Sequence, residues 1–209
     1  ASPRVNSTFE RYSTVRNLRG MTGADAARAV LRAHGVTDVR IDYVSGNLTD
    51  HYDPSKEVLN LSDGVYSSNS IAAMGIAAHE AGHAMQKLEN YAPLNLRSAI
   101  VPAVNICSTL STPMFILGLI FAWQPLVYIG IGLFAASTVF ALVTLPVEFD
   151  ASKRAIQMLS EGGYISGAEE ERNVRKVLSA AALTYVAAAV TSLLSLLRLI
   201  LIAKRNDRN

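Results

Sequence analysis

Ser70-Ile71-Ala72-Ala73-Met74-Gly75-Ile76-Ala77-Ala78-His79-Glu80-Ala81-Gly82-His83-Ala84-Met85-Gln86-Lys87-Leu88 is the stretch on which the reading of this chain turns. It holds no proline, and alanine dominates its middle. Asn69 and Ser70 stand where an N-cap would fall, so the pattern predicts a helix from Ile71 to Leu88. Inside it lies H-E-x-x-H. Two histidines four residues apart share one helix face, so both imidazoles can reach one metal ion. Glu80, offset by about 100° from His79, can hold a water on that metal without ligating it. Gly75 and Gly82 each cost about 1 kcal/mol of helix stability relative to alanine. Gly82 falls between the two histidines, where a missing side chain would let another segment approach the metal. The pattern points to a zinc hydrolase.

The rest of the chain is unusually apolar. Half of its 209 residues are hydrophobic, and the excess is concentrated. Ser98 to Val147 is fifty residues without Asp, Glu, Lys, Arg or His, and Ser179 to Leu197 is a second uncharged run. One bilayer crossing takes about 20 apolar residues, so the first run holds two crossings and the second holds one. The chain therefore reads as an integral membrane protein. The first run divides at Trp123-Gln124-Pro125, with Ser98 to Ala122 going out and Leu126 to Leu145 returning. Trp123 and Tyr128 suit the interface at the far end. Pro102 and Pro113 would kink the outgoing helix, and Gly118, Gly130 and Gly132 would permit close packing. A net charge of +2, without a basic run interleaved with aromatics or a glycine-rich phosphate loop, argues against a nucleic-acid partner. The single Cys107 falls inside the first crossing and offers neither an internal disulfide nor a cysteine metal site.

Ahead of the metal-binding helix, Thr22 to His34 reads as a short amphipathic helix capped by Thr22 and stopped by Gly35. Val39 to Val44 alternates like a strand, and Glu57 to Leu61 reads as a second, after a turn at Asp53-Pro54-Ser55-Lys56. This order suggests a small sheet beside the H-E-x-x-H helix, with a strand edge that could hold an extended peptide. After the hairpin, Pro146 to Ile156 reads as a separate helix with Pro146 in its first turn and Gly162-Gly163 at its end. Glu169 to Lys176 reads as a solvated helix leading into the last crossing.

A catalytic zinc needs a third protein ligand and an open position. His34, His51 and the carboxylates are candidates. A hairpin that crosses and returns brings Glu148 to the same side of the membrane as His83, on the first turn of the emerging helix, from which it can point back to His79 and His83. Asp150 faces elsewhere on that helix and reads as a supporting or surface residue. His51, in Asp50-His51-Tyr52-Asp53-Pro54, reads as structural or substrate-facing rather than as a ligand.

His79-Glu80-Ala81-Gly82-His83-Ala84, the hairpin, and Leu145-Pro146-Val147-Glu148-Phe149-Asp150-Ala151 together resemble the YugP-like family of membrane zinc metallopeptidases. The resemblance runs over nearly the whole chain and includes Leu48 to Pro54, Tyr91 to Leu94 and Ala181 to Ala188. It implies a mainly α, zincin-like membrane metallopeptidase with a small β-sheet beside the H-E-x-x-H helix and about three transmembrane helices. Members of that family usually carry one more membrane helix at the N-terminus, and this chain begins Ala1-Ser2-Pro3 without methionine, which suggests a truncated form. The architecture is also similar to the HtpX-like proteases, whose Glu ligand lies in an E-x-x-x-D pattern. Ser152 stands here where that pattern has Asp, so any role of that Asp does not carry over.

The expected activity is zinc-dependent endopeptidase hydrolysis. Zn²⁺ is held by His79, His83 and Glu148, a zinc-activated water is the nucleophile, and Glu80 is the general base. Tyr185 and His51 are candidates for an oxyanion or substrate contact. The alternatives are a non-proteolytic membrane protein with structural zinc and a zinc hydrolase of a non-peptide or lipid amide. The expected partners are a peptide or protein substrate and the lipid bilayer. Expected segments are a catalytic part at 1–97, a transmembrane hairpin at 98–147, a ligand-bearing helix and linker at 148–178, and a last transmembrane helix at 179–203. Ten Lys or Arg precede the hairpin and five lie between Glu148 and the last crossing. The positive-inside rule puts both regions, and the active site, on the cytoplasmic face of what the resemblance implies is a bacterial plasma membrane.

Overall fold

The computed structural model describes residues 3–206, with side chains from residue 7 onward. Among them, helix predominates. The chain runs through α1 (Pro3–Ser13), α2 (Gly23–Ala33), β1 (Arg40–Tyr43), β2 (His51–Asp53), β3 (Val58–Leu61), α3 (Asp63–Tyr66), α4 (Ile71–Leu88), α5 (Ala92–Ile120), α6 (Gln124–Glu161) and α7 (Gly167–Asn206). It forms two compact units. One comprises the chain up to Tyr91 with Val147–Thr184, and the other comprises Ala92–Pro146 with the chain from Tyr185.

The first unit is organised around α4. Ser70 caps it through a hydrogen bond from the Ala73 N–H at 3.1 Å, the role its sequence position suggests. Alanines along α4 keep its surface small, so neighbours come close on several sides. Ala73, Met74, Ala77, Ala78, Ala81 and Ala84 are fully buried, in one core with Val30 and Leu31 of α2, Leu59 and Leu61 of β3, Ala155 and Leu159 of α6, and Val174 of α7. Two glycines mark the tightest approaches. A Cβ on Gly75 would sit 3.3 Å from Val174 Cγ1, and one on Gly82 would sit 2.6 Å from the Ala151 carbonyl oxygen. Gly82 therefore admits the backbone of α6, which fulfils the expectation drawn from its place between the histidines.

The sheet has the order β1-β3-β2, with β1 parallel and β2 antiparallel to β3. β1 and β3 fall where strands are expected. β2 was not legible, because three residues are too few to display an alternating pattern. It pairs with the central strand through Tyr52 opposite Leu59 and forms one edge of the sheet, against α4. The turn into β3 is an Asp53 turn. The Asp53 carboxylate accepts from the Ser55 hydroxyl and from the Ser55 and Lys56 N–H groups, which holds its pKa down at about 2.

Two expectations change. Pro146 does not start a helix but lies inside α6, which continues from Gln124 to Glu161. A proline in mid-helix removes one N–H donor, and an apolar helix tolerates that loss where neighbouring groups compensate. The segment at Glu169–Lys176 is the first part of α7, and it is not wholly solvated. Glu170 is buried, accepting from the Leu18 N–H at 2.9 Å and the Ser166 N–H at 2.7 Å, while Val174 and Leu178 enter the core.

In the second unit, α5 turns into α6 through Phe121–Trp123, with Ala122 at φ 50° and the Trp123 N–H on the Gly118 carbonyl at 2.9 Å. Gly118 and Gly130 do permit close packing: their Cβ atoms would each lie 2.6 Å from a backbone nitrogen, of Val127 and Phe115 respectively. Gly132 faces open space. α5, α6 and α7 are each long and apolar enough to cross a membrane. Leucine, isoleucine and phenylalanine side chains such as Ile106, Ile120, Phe121 and Leu194 stand exposed on this unit, as hydrocarbon solvent allows.

A methyl group at Gly82 cannot be accommodated without moving α6. We expect Gly82→Ala to destabilise the protein by about 1–3 kcal/mol, despite its better helix propensity. A thermal melt in detergent that is unchanged or raised would contradict this.

Candidate metal centre

His79 and His83 project from one face of α4, one turn apart, and their rings meet edge to face with centroids 4.8 Å apart. Glu148 reaches them from α6. Its Oε2 lies 3.3 Å from His79 Nε2 and 3.6 Å from His83 Nε2. One donor atom from each of the three residues falls within 4.8 Å of the others. Ligand atoms about 2.0–2.1 Å from a tetrahedral zinc lie about 3.3 Å from each other, so the two distances to Glu148 fit the ion. Two imidazole nitrogens and one carboxylate oxygen also form a donor set that zinc accepts. Among the described residues this is the one such group, which leaves a tetrahedral ion one position for a non-protein ligand. The site lies wholly within the first compact unit.

The outward nitrogens of both rings are also held. Ser152 Oγ lies 3.1 Å from His79 Nδ1, and Gln86 Oε1 lies 3.0 Å from His83 Nδ1. Gln86 is fully buried, and its Nε2 donates to the Val147 carbonyl at 2.8 Å and to Asp150 Oδ2 at 2.9 Å. Arg154 closes the chain. Its Nε donates to Asp150 at 2.5 Å, its Nη1 donates to Glu89 at 2.6 Å, and its guanidinium lies over the Tyr91 ring. Asp150 therefore faces Gln86 and Arg154 and is not one of the three metal-capable donors. Gln86 escaped notice in the sequence. The available signal was its position three residues after His83, on the same helix face.

Glu80 is buried at 8% exposure beside this cluster. Burial opposes protonation of His83, but the Glu148 hydrogen bond and the charges of Glu80 and Glu148 outweigh it, so the imidazole pKa is raised above its usual 6.5. For Glu148, burial favours the neutral acid, yet hydrogen bonds from His79 and His83 prevail and hold the carboxyl well below the usual carboxylate range.

The remaining candidates lie elsewhere. His51 is exposed on β2, its Nδ1 on the Thr49 carbonyl and its Nε2 facing the Asn60 amide. His34 packs its Nδ1 against the Val30 carbonyl at the end of α2. Tyr185 is on α7, 37% exposed. Neither histidine joins the metal-capable group.

Fold and site together define a class: a mainly helical membrane protein with an H-E-x-x-H helix and a nearby carboxylate able to complete a zinc site. The chain belongs to the family described as "Putative neutral zinc metallopeptidase", whose model matches residues 1–204. It is 49% identical over 199 residues to "Putative membrane protease YugP" of Bacillus subtilis (strain 168), a match covering 95% of this chain and 88% of that protein. No solved structure matches. The family resemblance read from the motifs therefore holds, and zinc is the family's metal.

The raised pKa of His83 has a sign that can be tested. Its ion pair with Glu148 stabilises the metal-free protein fully below about pH 6.5 and is lost as pH rises through the raised value. Zinc needs the neutral ring, so its affinity should climb over the same interval. Melts of chelator-treated protein and zinc titrations from pH 6 to 8.5 should move in opposite directions. Parallel movement would contradict the assignment.

Proposed function

We propose that the chain is a membrane-bound endopeptidase in which His79, His83 and Glu148 hold zinc and Glu80 is the general base. The observation that carries this reading is the convergence of one donor atom each from His79, His83 and Glu148 within 4.8 Å, from two helices and beside a buried glutamate. A three-ligand group favours catalysis over a closed structural site. Bound zinc supplies a Lewis acid and lowers the pKa of water towards about 7.

The protein residues do the rest. Glu80 accepts the proton of the attacking water and passes it to the amide nitrogen as the C–N bond breaks, so that carboxylate and amine leave as products. The substrate backbone is held in an extended form. Support for this comes from β2, an edge strand against α4 with one side of its backbone unpaired within the sheet. That feature favours a peptide over a lipid amide. His51, exposed on β2, is a candidate oxyanion or substrate contact. The Bacillus relative's description as a membrane protease agrees with a peptide substrate and with residence in a bacterial plasma membrane. The fifteen basic residues before the hairpin and between Glu148 and the last crossing favour a cytoplasmic active site.

Cleavage of an unfolded protein by zinc-loaded chain in detergent tests the reading. Glu80→Gln should keep zinc and lose about 10²–10⁴-fold in rate. His79→Ala and Glu148→Ala should lose the metal. A Glu80→Gln variant as active as its parent would remove Glu80 from its role, and full zinc occupancy in either ligand variant would remove that ligand.

A further inference from the structure

We propose that Gln86 is a positioning residue that fixes which nitrogen of His83 faces the metal. The inference rests on the zinc reading above and adds to it a residue and a reason. The Gln86 carboxamide has one orientation available. Its nitrogen faces the Val147 carbonyl at 2.8 Å and an Asp150 carboxylate oxygen at 2.9 Å, and both of these only accept. Asp150 is kept in that role by Arg154, whose Nε lies 2.5 Å from the same oxygen. Turning the amide over would set Oε1 against two acceptors in a fully buried position. Oε1 must therefore face His83, 3.0 Å from Nδ1.

An amide oxygen cannot donate, so His83 Nδ1 carries the hydrogen. In the neutral ring that zinc requires, Nε2 is then left with its lone pair, and this atom lies 3.6 Å from Glu148 Oε2; only the metal-free imidazolium carries hydrogen on both nitrogens. Charge held on Arg154 is thus relayed through Asp150 and Gln86 to the tautomer of a metal-facing ring.

His79 is held differently. Its Nδ1 meets the hydroxyl of Ser152, which can donate or accept and so imposes no tautomer. The two histidines, alike in the motif, are unequal in support. The ring tied to a fixed amide should be the more sensitive to loss of its partner.

The chain has four histidines, so the ring nitrogens of ¹⁵N-histidine-labelled, zinc-loaded protein in detergent can be resolved and assigned with single variants. His83 should show a protonated Nδ1 and a metal-bound Nε2. Gln86→Leu should weaken zinc binding about 10–100-fold and lose the fixed Nδ1–H signature. Gln86→Glu keeps an acceptor for His83 but sets a second carboxylate against Asp150, so it should also weaken zinc. Adding Asp150→Asn removes the second carboxylate and can return a donor to that pair, at the cost of the Arg154 contact made by the same atom. The double variant should recover part of the affinity that Gln86→Glu loses.

Parent affinity and an unchanged ring signature in Gln86→Leu would overturn the inference. If Gln86→Leu does not fold, the other pair decides, and a double variant no tighter than Gln86→Glu would overturn it. A wild-type chain that binds no zinc would instead overturn the site reading on which this rests.

Discussion

The contact between Gly82 of α4 and the Ala151 backbone of α6 is the constraint on which the rest of this structure depends. A helix normally keeps its neighbour at the distance its side chains require. Here one missing Cβ, between two histidines, lets the α6 backbone approach to a distance that alanine would forbid. That approach sets Glu148 against both imidazoles from one side and Ser152 against His79 from the next turn. The helix-propensity cost of the glycine, about 1 kcal/mol, is small beside the geometry it secures.

The site is also insulated by design of its neighbours. Alanines around the histidines bury α4 on several faces, and the buried polar groups near it have partners. Gln86 is satisfied by Val147, Asp150 and His83, and Asp150 by Arg154. A buried amide left unsatisfied would cost about 1–3 kcal/mol, so this chain of contacts stabilises as well as orients. Arg154 has the further effect of tying α6 to Glu89, just beyond the last residue of α4. The same α4–α6 pairing that forms the site is therefore held at both the glycine and the helix end.

The apolar half follows different rules. Among its described residues, Ala92–Pro146 and the chain from Tyr185 contain no carboxylate, and close packing at Gly118 and Gly130 takes the place that a hydrophobic core has in water. α6 serves both halves, with Pro146 and Val147 marking the change between units. The segment carrying Glu148 is thus a continuation of a membrane-spanning helix rather than a new element.

Local pattern was enough for much of this. H-E-x-x-H fixes two donors on one helix face because helix periodicity is intrinsic to the backbone. The uncharged runs announce their crossings because hydrocarbon excludes charge. The Ser70 and Thr22 caps are equally local. The residues that complete the site were of two kinds. Glu148 could be inferred from topology, since a hairpin must return to the side it left. The place of Gln86 one turn after His83 is a local signal, but its partners Val147 and Asp150 are not legible from it, and neither the short edge strand β2 nor the continuity of α6 through Pro146 could be inferred. The contacts of Gln86 and β2 arise from pairings between separate segments, which spacing alone does not specify. The sequence by itself determined the H-E-x-x-H helix and the membrane segments, because both are properties of short stretches of chain. Only the tertiary structure decided how each histidine is held, because a side chain's hydrogen-bond partner depends on which helix folds against it.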